Sequence, residues 1–328
     1  LARIVRDEAL DDPDETWMLA HAIEAFGADV ALDRDGGPAL AAILGRATLV
    51  DGQLRFAGAS ASGTLRDPHP NHTLATLLAA GVPGTQAFVV GDATVTLADL
   101  HAHAVAAFER PSGTAWGEQA WTLRAMAEAV EVDVARVEIT NARGERFDGL
   151  ELARAAADEI LAEMRFLGDA RREGKAVRKR GQGIWAQPCG GLHSIEAVAV
   201  WLRVRDDAEL RASVERIGDV LAYRVGVEAD LYAWMRGQAP PDIATKLDAQ
   251  ELKFFGHVLD TADELARAGV PLDDVAIAEA KARVVAAVRR LEDSGALARI
   301  GALQLEDPQL YRDLVGDAAH AVAGLSAR

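Results

Sequence analysis

Ten residues near the N-terminus, Trp17-Met-Leu-Ala-His21-Ala-Ile-Glu24-Ala-Phe26, reappear in register as Cys189-Gly-Gly-Leu-His193-Ser-Ile-Glu196-Ala-Val198. A third copy reads Lys253-Phe-Phe-Gly-His257-Val-Leu-Asp260. Each places a histidine and an acid three apart in an otherwise apolar stretch, and that spacing puts both on one face of an α-helix. Burying such a pair costs several kcal/mol unless the two groups are satisfied or used. A chain that repeats a buried helix of this kind has to stack its copies against one another to make a core.

A second alignment extends the pattern. His72-Thr-Leu-Ala-Thr-Leu-Leu leads through Phe88-Val-Val-Gly-Asp-Ala-Thr-Val to Leu97-Ala-Asp-Leu-His-Ala-His-Ala-Val. In the same way Trp121-Thr-Leu-Arg-Ala-Met-Ala leads through Val137-Glu-Ile-Thr-Asn-Ala-Arg-Gly-Glu to Leu150-Glu-Leu-Ala-Arg-Ala-Ala-Ala. The unit is a helix, a short β-turn excursion and a second helix, recurring at about 50 residues. First helices (16–26, 71–80, 191–202, 252–259) are apolar nearly all round, as elements covered on both sides should be. Second helices (150–166, 275–291) are amphipathic, with Arg154, Asp158 and Glu163, or Lys281, Arg283 and Arg290, on one stripe. The expected fold is mainly α: a single domain over 1–328, an α/α toroid of inner and outer helix rings with small β-hairpin insertions at 49–56 and 88–95. An open helical-pair solenoid is the alternative.

Composition agrees with a globular helical protein. Half of the 328 residues are hydrophobic and only 5% are aromatic, which favours closely packed helices over a β-sandwich. The formal charge of −16 argues against nucleic-acid binding, which draws on clustered Lys and Arg. The basic stretch Arg171, Arg172, Lys175, Arg178, Lys179, Arg180 is read as a solvated helix end or loop, with an anion or partner site as the alternative. No apolar run approaches the roughly 20 residues of a membrane helix. The lone Cys189 excludes an intrachain disulfide framework. The compartment stays open: the cytoplasm is favoured over export with a leader removed ahead of Leu1.

The all-round apolar first helices, the helix-pair repeat and the length resemble the α/α toroids of the terpenoid cyclase, prenyltransferase and lanthionine-cyclase groups. The resemblance lies in architecture over most of the chain. The aspartate-rich cyclase motifs and the lanthionine-cyclase Cys-His pair in its usual sequence are absent, so no activity is carried over. What the resemblance implies is a site at the mouth of a central cavity, where the first turns of the inner helices converge.

In that register Trp17, His72, Trp121, Cys189 and Lys253 occupy first turns, and His21, Thr76, Ala125, His193 and His257 the turn below. Soft and borderline ligands then gather at one axis: Cys189 and His193, with His21, His257 and His72 from other helices. Zinc is the expected metal, and copper or iron accept similar ligands. Pro188, Gly190 and Gly191 beside the cysteine permit close approach. Glu24, Glu196 and Asp260 either orient the imidazoles, act as general acids or bases, or pair with basic residues on neighbouring helices. Taken singly, each histidine also reads as a hydrogen-bonded core residue and the cysteine as a small hydrophobe.

A rival site is Asp67-Pro-His69-Pro-Asn71-His72, in which Asn71 also reads as a helix N-cap. His101 and His103, two apart, should point away from each other. Tyr232, Trp234 and Met235 read as a helix end packed on the core or as an aromatic wall over a pocket. Gly181-Gln-Gly-Ile-Trp185 lacks the phosphate-loop spacing. Three functions follow: a metal-dependent enzyme acting on a small organic substrate; a metal-free scaffold presenting a groove to a ligand or partner; or a metal-free toroid enzyme using buried carboxylates on a polyprenyl or glycan-like substrate.

Overall fold

The computed structural model describes residues 1–10, 16–33, 36–50, 53–56, 58–60, 63–65, 71–90, 93–111, 113–133, 135–177, 181 and 183–326. Among these the α-helices are α1 (Ala2–Val5), α2 (Thr16–Phe26), α3 (Ala39–Leu44), α4 (His72–Ala79), α5 (Leu97–Ala106), α6 (Ala120–Glu131) and α7 (Gly149–Glu173). They continue with α8 (Leu192–Val204), α9 (Ala208–Arg236), α10 (Pro241–Arg267), α11 (Asp274–Asp293), α12 (Ile300–Glu306) and α13 (Pro308–Ser326). The strands form antiparallel hairpins only: β1 (Ala47–Val50) with β2 (Gln53–Phe56), β3 (Gly58–Ser60) with β4 (Gly63–Leu65), β5 (Ala87–Val90) with β6 (Ala93–Thr96), and β7 (Glu138–Thr140) with β8 (Arg146–Asp148). The fold is mainly α, and no described helix is long and apolar enough to cross a membrane.

The helices divide as their sequences require. α2, α4, α6 and α8, together with the C-terminal halves of α10 and α13, are buried around most of their circumference. Each packs against the next in that order, and α13 returns to pack against α2, so the six make a closed cycle of helix contacts. The amphipathic helices lie outside them. α7 covers α8, α9 bridges α8, α10 and α11, α11 covers α10, and α1 and α12 cover α13.

Four of the helices, α5, α7, α9 and α11, start on side-chain caps. Thr96 and Asp99 make a capping box on α5, and Asp148, Asp207 and Asp273 accept from first-turn N–H groups of α7, α9 and α11. The caps fix where each outer helix begins, and so which turn of its inner neighbour it covers.

Two local expectations change. Asn71 does stand at the N-cap of α4, but at φ 63° its side chain caps nothing and donates instead to Thr122 Oγ1 at 2.9 Å, tying α4 to α6. Glu163 leaves the charged stripe of α7: it is buried and accepts from Gln187 Nε2 at 2.6 Å.

Candidate metal centre

One ring side chain from each of the six inner helices meets at a single level: His21 (α2), His72 (α4), Trp121 (α6), His193 (α8), His257 (α10) and His320 (α13). Going round, the centroid separations are 4.8, 4.4, 4.5, 4.7, 3.8 and 5.0 Å, the last closing from His320 to His21. The expected residues His21, His72, His193 and His257 are therefore brought together, and all are at most 4% exposed. His21 Nδ1 lies 2.8 Å from the Trp17 carbonyl. A carbonyl only accepts, so Nδ1 carries the hydrogen in this contact. Burial lowers His193 and His257 well below the usual histidine range, with positive charge at His320 adding to it. Both are neutral imidazoles at neutral pH, the form that ligates metals.

One turn toward the N-termini sit Trp17, Cys189, Lys253 and Gly316. Cys189 is not on the helix with His193, as an i, i+4 pair would require. Cys189, Gly190 and Gly191 have φ of 47, 64 and 77° in a left-handed turn that ends where α8 begins. The fully buried Arg224 holds this turn, donating to the Gly190 carbonyl at 2.6 Å and pairing with Glu228 at 3.2 Å. A β-carbon on Gly190 would lie 2.5 Å from that guanidinium. The turn aims the sulfur back at the ring: donor atoms of Cys189, His193 and His257 all lie within 4.8 Å of one another. Burial pushes the Cys189 thiol up to about 12, against the opposing charge of Lys253. Burial likewise raises Asp317, 3.7 Å from His257 Nε2, to about 7. His257 Nδ1 is buried and has no hydrogen-bond partner among the described residues.

On the other side of the ring lie the three expected acids. Glu196 Oε2 faces His193 Nδ1 at 3.3 Å and is anchored by Arg124 at 2.9 Å, while its other oxygen accepts from Thr261 at 2.8 Å. Asp260 Oδ2 lies 3.0 Å from His320 Nδ1, and Glu24 Oε2 lies 3.6 Å from the same nitrogen. Burial raises Glu24 to about 7 and raises Glu196, with nearby cations opposing both. Burial alone would lower His320, but Glu24, Asp260 and Glu196 overcome it and hold it at about 9. Arg124 also reaches Glu264 (3.4 Å), Glu128 (3.6 Å) and Glu24 (3.9 Å), so one guanidinium on α6 ties α2, α8 and α10.

His320 is the site residue that sequence reasoning missed. Its signal is present: Gly316-Asp-Ala-Ala-His320 keeps the four-residue spacing of Trp17 to His21 and Cys189 to His193. Of the rival loop, Asp67 and His69 lie outside the described residues, while His72 belongs to the ring. His101 is buried and His103 exposed, so they do point apart. In the basic stretch Arg172 and Lys175 pair with the neighbouring Asp169 and Glu173 at an exposed helix end, and Arg178, Lys179 and Arg180 lie outside the described residues. Tyr232 is buried, donating to the Gln250 carbonyl at 3.1 Å, whereas Trp234 is exposed. Comparison with known proteins finds no matching family model, no matching curated protein and no matching solved structure.

Proposed function

We propose that the protein is a metal-dependent enzyme built as an α/α toroid, whose centre takes a divalent transition metal, zinc by donor set, on Cys189, His193 and His257. The observation that carries this reading is the convergence of a thiol and two neutral imidazoles within 4.8 Å, from the turn before α8, from α8 and from α10. Tetrahedral zinc with bonds of 2.0–2.3 Å wants donors about 3.3–3.8 Å apart, so small side-chain adjustments suffice. The donor chemistry fits as well. His257 Nδ1 is a buried polar atom lacking a partner among the described residues, of the kind a cation satisfies. Glu196 accepts from His193 Nδ1–H, the outer contact that orients a metal-bound imidazole and leaves Nε2 for the ion.

A metal held by three protein ligands supplies Lewis-acid or water-activating chemistry to a small organic substrate. The chain's own residues supply the rest. Arg224 and the left-handed turn fix the sulfur, Arg124 and Thr261 fix Glu196 and through it His193, and the half-buried Cys189 and Lys253 leave the first-turn side as the direction of approach. His21 and His72 complete the ring beside these ligands, and Asp260 holds His320. A second reading, acid catalysis by Glu24 without metal, draws on its elevated value near 7 and implies activity insensitive to chelators.

The deciding experiment is elemental analysis of untagged protein, with thermal melts with and without chelator. The expected outcome is bound zinc that Cys189→Ala and His257→Gln each reduce by one equivalent, and a melting point that chelator lowers more in the parent than in either variant. Clean protein that neither contains nor takes up a transition metal rejects the reading.

A further inference from the structure

Opposite the thiol, the same ring carries a second donor set that the Cys189 reading does not use. We propose that His21, Glu24 and His320 form a separate metal site, with two imidazoles and one carboxylate, for a divalent first-row transition metal of the iron(II) class. Donor atoms of the three lie within 4.8 Å of one another and come from α2 and α13, the two helices whose packing closes the cycle. Two imidazoles and one carboxylate, with open positions left over, are the donor set of non-haem iron(II) sites, and zinc and cobalt accept it too.

Three features of the surroundings point to a cation. First, His21 is oriented in advance: its Nδ1 is held 2.8 Å from the Trp17 carbonyl, which fixes the plane of the ring. Second, among the described residues Glu24 Oε2 is buried and accepts no hydrogen bond; it faces His320 Nδ1 at 3.6 Å and, through the other oxygen, Arg124 at 3.9 Å. Third, positive charge is short on this side of the ring. Five largely buried carboxylates, Glu24, Glu128, Glu196, Asp260 and Glu264, meet two guanidiniums, Arg124 and Arg203, and the His320 imidazole, while Arg267 reaches Glu264 from the surface. Buried anions in excess of cations are costly, and a dication at His21, Glu24 and His320 offsets them where the excess is least paired. Asp260, 3.0 Å from His320 Nδ1, fixes that ring from outside the trio.

The site shares no ligand with the Cys189 centre, and cobalt distinguishes the two because only a thiolate ligand gives an intense near-ultraviolet charge-transfer band. Metal-free full-length protein is titrated with cobalt(II), following that band and the total metal bound. The expected result is two bound equivalents, one with the thiolate band. Glu24→Gln, nearly the same shape, should drop binding to one equivalent with the band intact. Cys189→Ser should abolish the band and leave one equivalent. His320→Gln repeats the first measurement from α13, with circular dichroism confirming that each variant is folded. A single equivalent that carries the band in the parent and in both Glu24→Gln and His320→Gln overturns this proposal and leaves the Cys189 centre standing. A single bandless equivalent, lost in Glu24→Gln, upholds this proposal and removes the other. Protein that binds no cobalt overturns both.

Discussion

At Cys189 the backbone adopts a conformation that costs an ordinary side chain roughly 1–2 kcal/mol, in a turn clamped by a buried ion pair. The strain leads to a sign reversal. Within a helix, glycine is less stable than alanine by about 1 kcal/mol; at φ 47° the order should invert, so metal-free Cys189→Gly should outlast metal-free Cys189→Ala in urea by about 1 kcal/mol. Equal or reversed stabilities would mean that the turn is not left-handed in solution. His101 provides a second test, through pH. Burial lowers it from 6.5 to about 4, so between those values the unfolded chain holds a proton that the folded chain does not. Stability therefore falls as pH drops through this window, with a ceiling of roughly 3 kcal/mol. His101→Gln should lose less stability than the parent between pH 7 and 4.5 by equilibrium denaturation, and parallel curves would exclude His101 as the cause. At this scale the sequence showed His21, His193 and His257, because a polar pair in an apolar helix stands out by contrast. His320 was hidden because the position three residues on is Ala323, and so the paired acid that marked the other copies is missing. The left-handed turn at Cys189 was hidden because Pro188 suggests a helix start, whereas the two glycines extend a left-handed backbone until α8 begins.

Among the elements, helices apolar on all sides were legible almost to their ends: 16–26 is α2, and 191–202 differs from α8 by a residue or two. The start of α10 was not. Its first half, from Pro241, is amphipathic and packs under α9 and α11, so only the apolar part at 252–259 announced the buried helix. The hairpins at 49–56 and 88–95 were readable from their turn residues, while β3 and β4 rest on short Gly- and Ser-containing segments without alternation. What periodicity does not report is how closely two helices approach. At Gly324 of α13, a β-carbon would sit 2.5 Å from Leu259 Cβ and 2.6 Å from the backbone nitrogen of Asp260, so α10 and α13 are nearly in backbone contact. Gly324→Ala should cost roughly 1–3 kcal/mol or more, because a rigid backbone rather than a flexible side chain must move. Gly226→Ala, exposed on α9 with open space around it, should instead gain up to about 1 kcal/mol. Denaturant melts of the pair make the comparison, and a Gly324→Ala variant as stable as the parent would contradict the close approach. Because α10 and α13 carry His257 and His320, the same variant should also weaken metal binding.

For the whole molecule the question is whether the six inner helices behave as a closed cycle or as an array with two ends, since the sequence admitted both. Helix-pair repeats and amphipathic partners are common to toroids and solenoids; only long-range packing separates them, and no local pattern encodes that α13 meets α2. The distinction is thermodynamic as well as geometric. In an open array, stability is close to a sum of repeat and neighbour contributions, so deleting the last helix costs one interface and leaves the remainder cooperative. In a closed cycle α13 is covered by α10 on one side and by α1 and α2 on the other, and it buries Leu314, Val315, Ala318, Ala319, His320 and Ala321 between them. Leu314 and Val315 alone stand for roughly 1.5–3 kcal/mol each. Their loss is compounded because Glu24 and Asp260 would lose the imidazole that faces them. A chain ending at residue 307 should therefore retain helical circular dichroism but lose its cooperative urea transition and bind hydrophobic dye, while the parent unfolds in one step. A truncated chain that still unfolds sharply, with a slope reduced only in proportion to its shorter length, would show that the closing contact between α13 and α2 contributes little and that the helices act as an open stack.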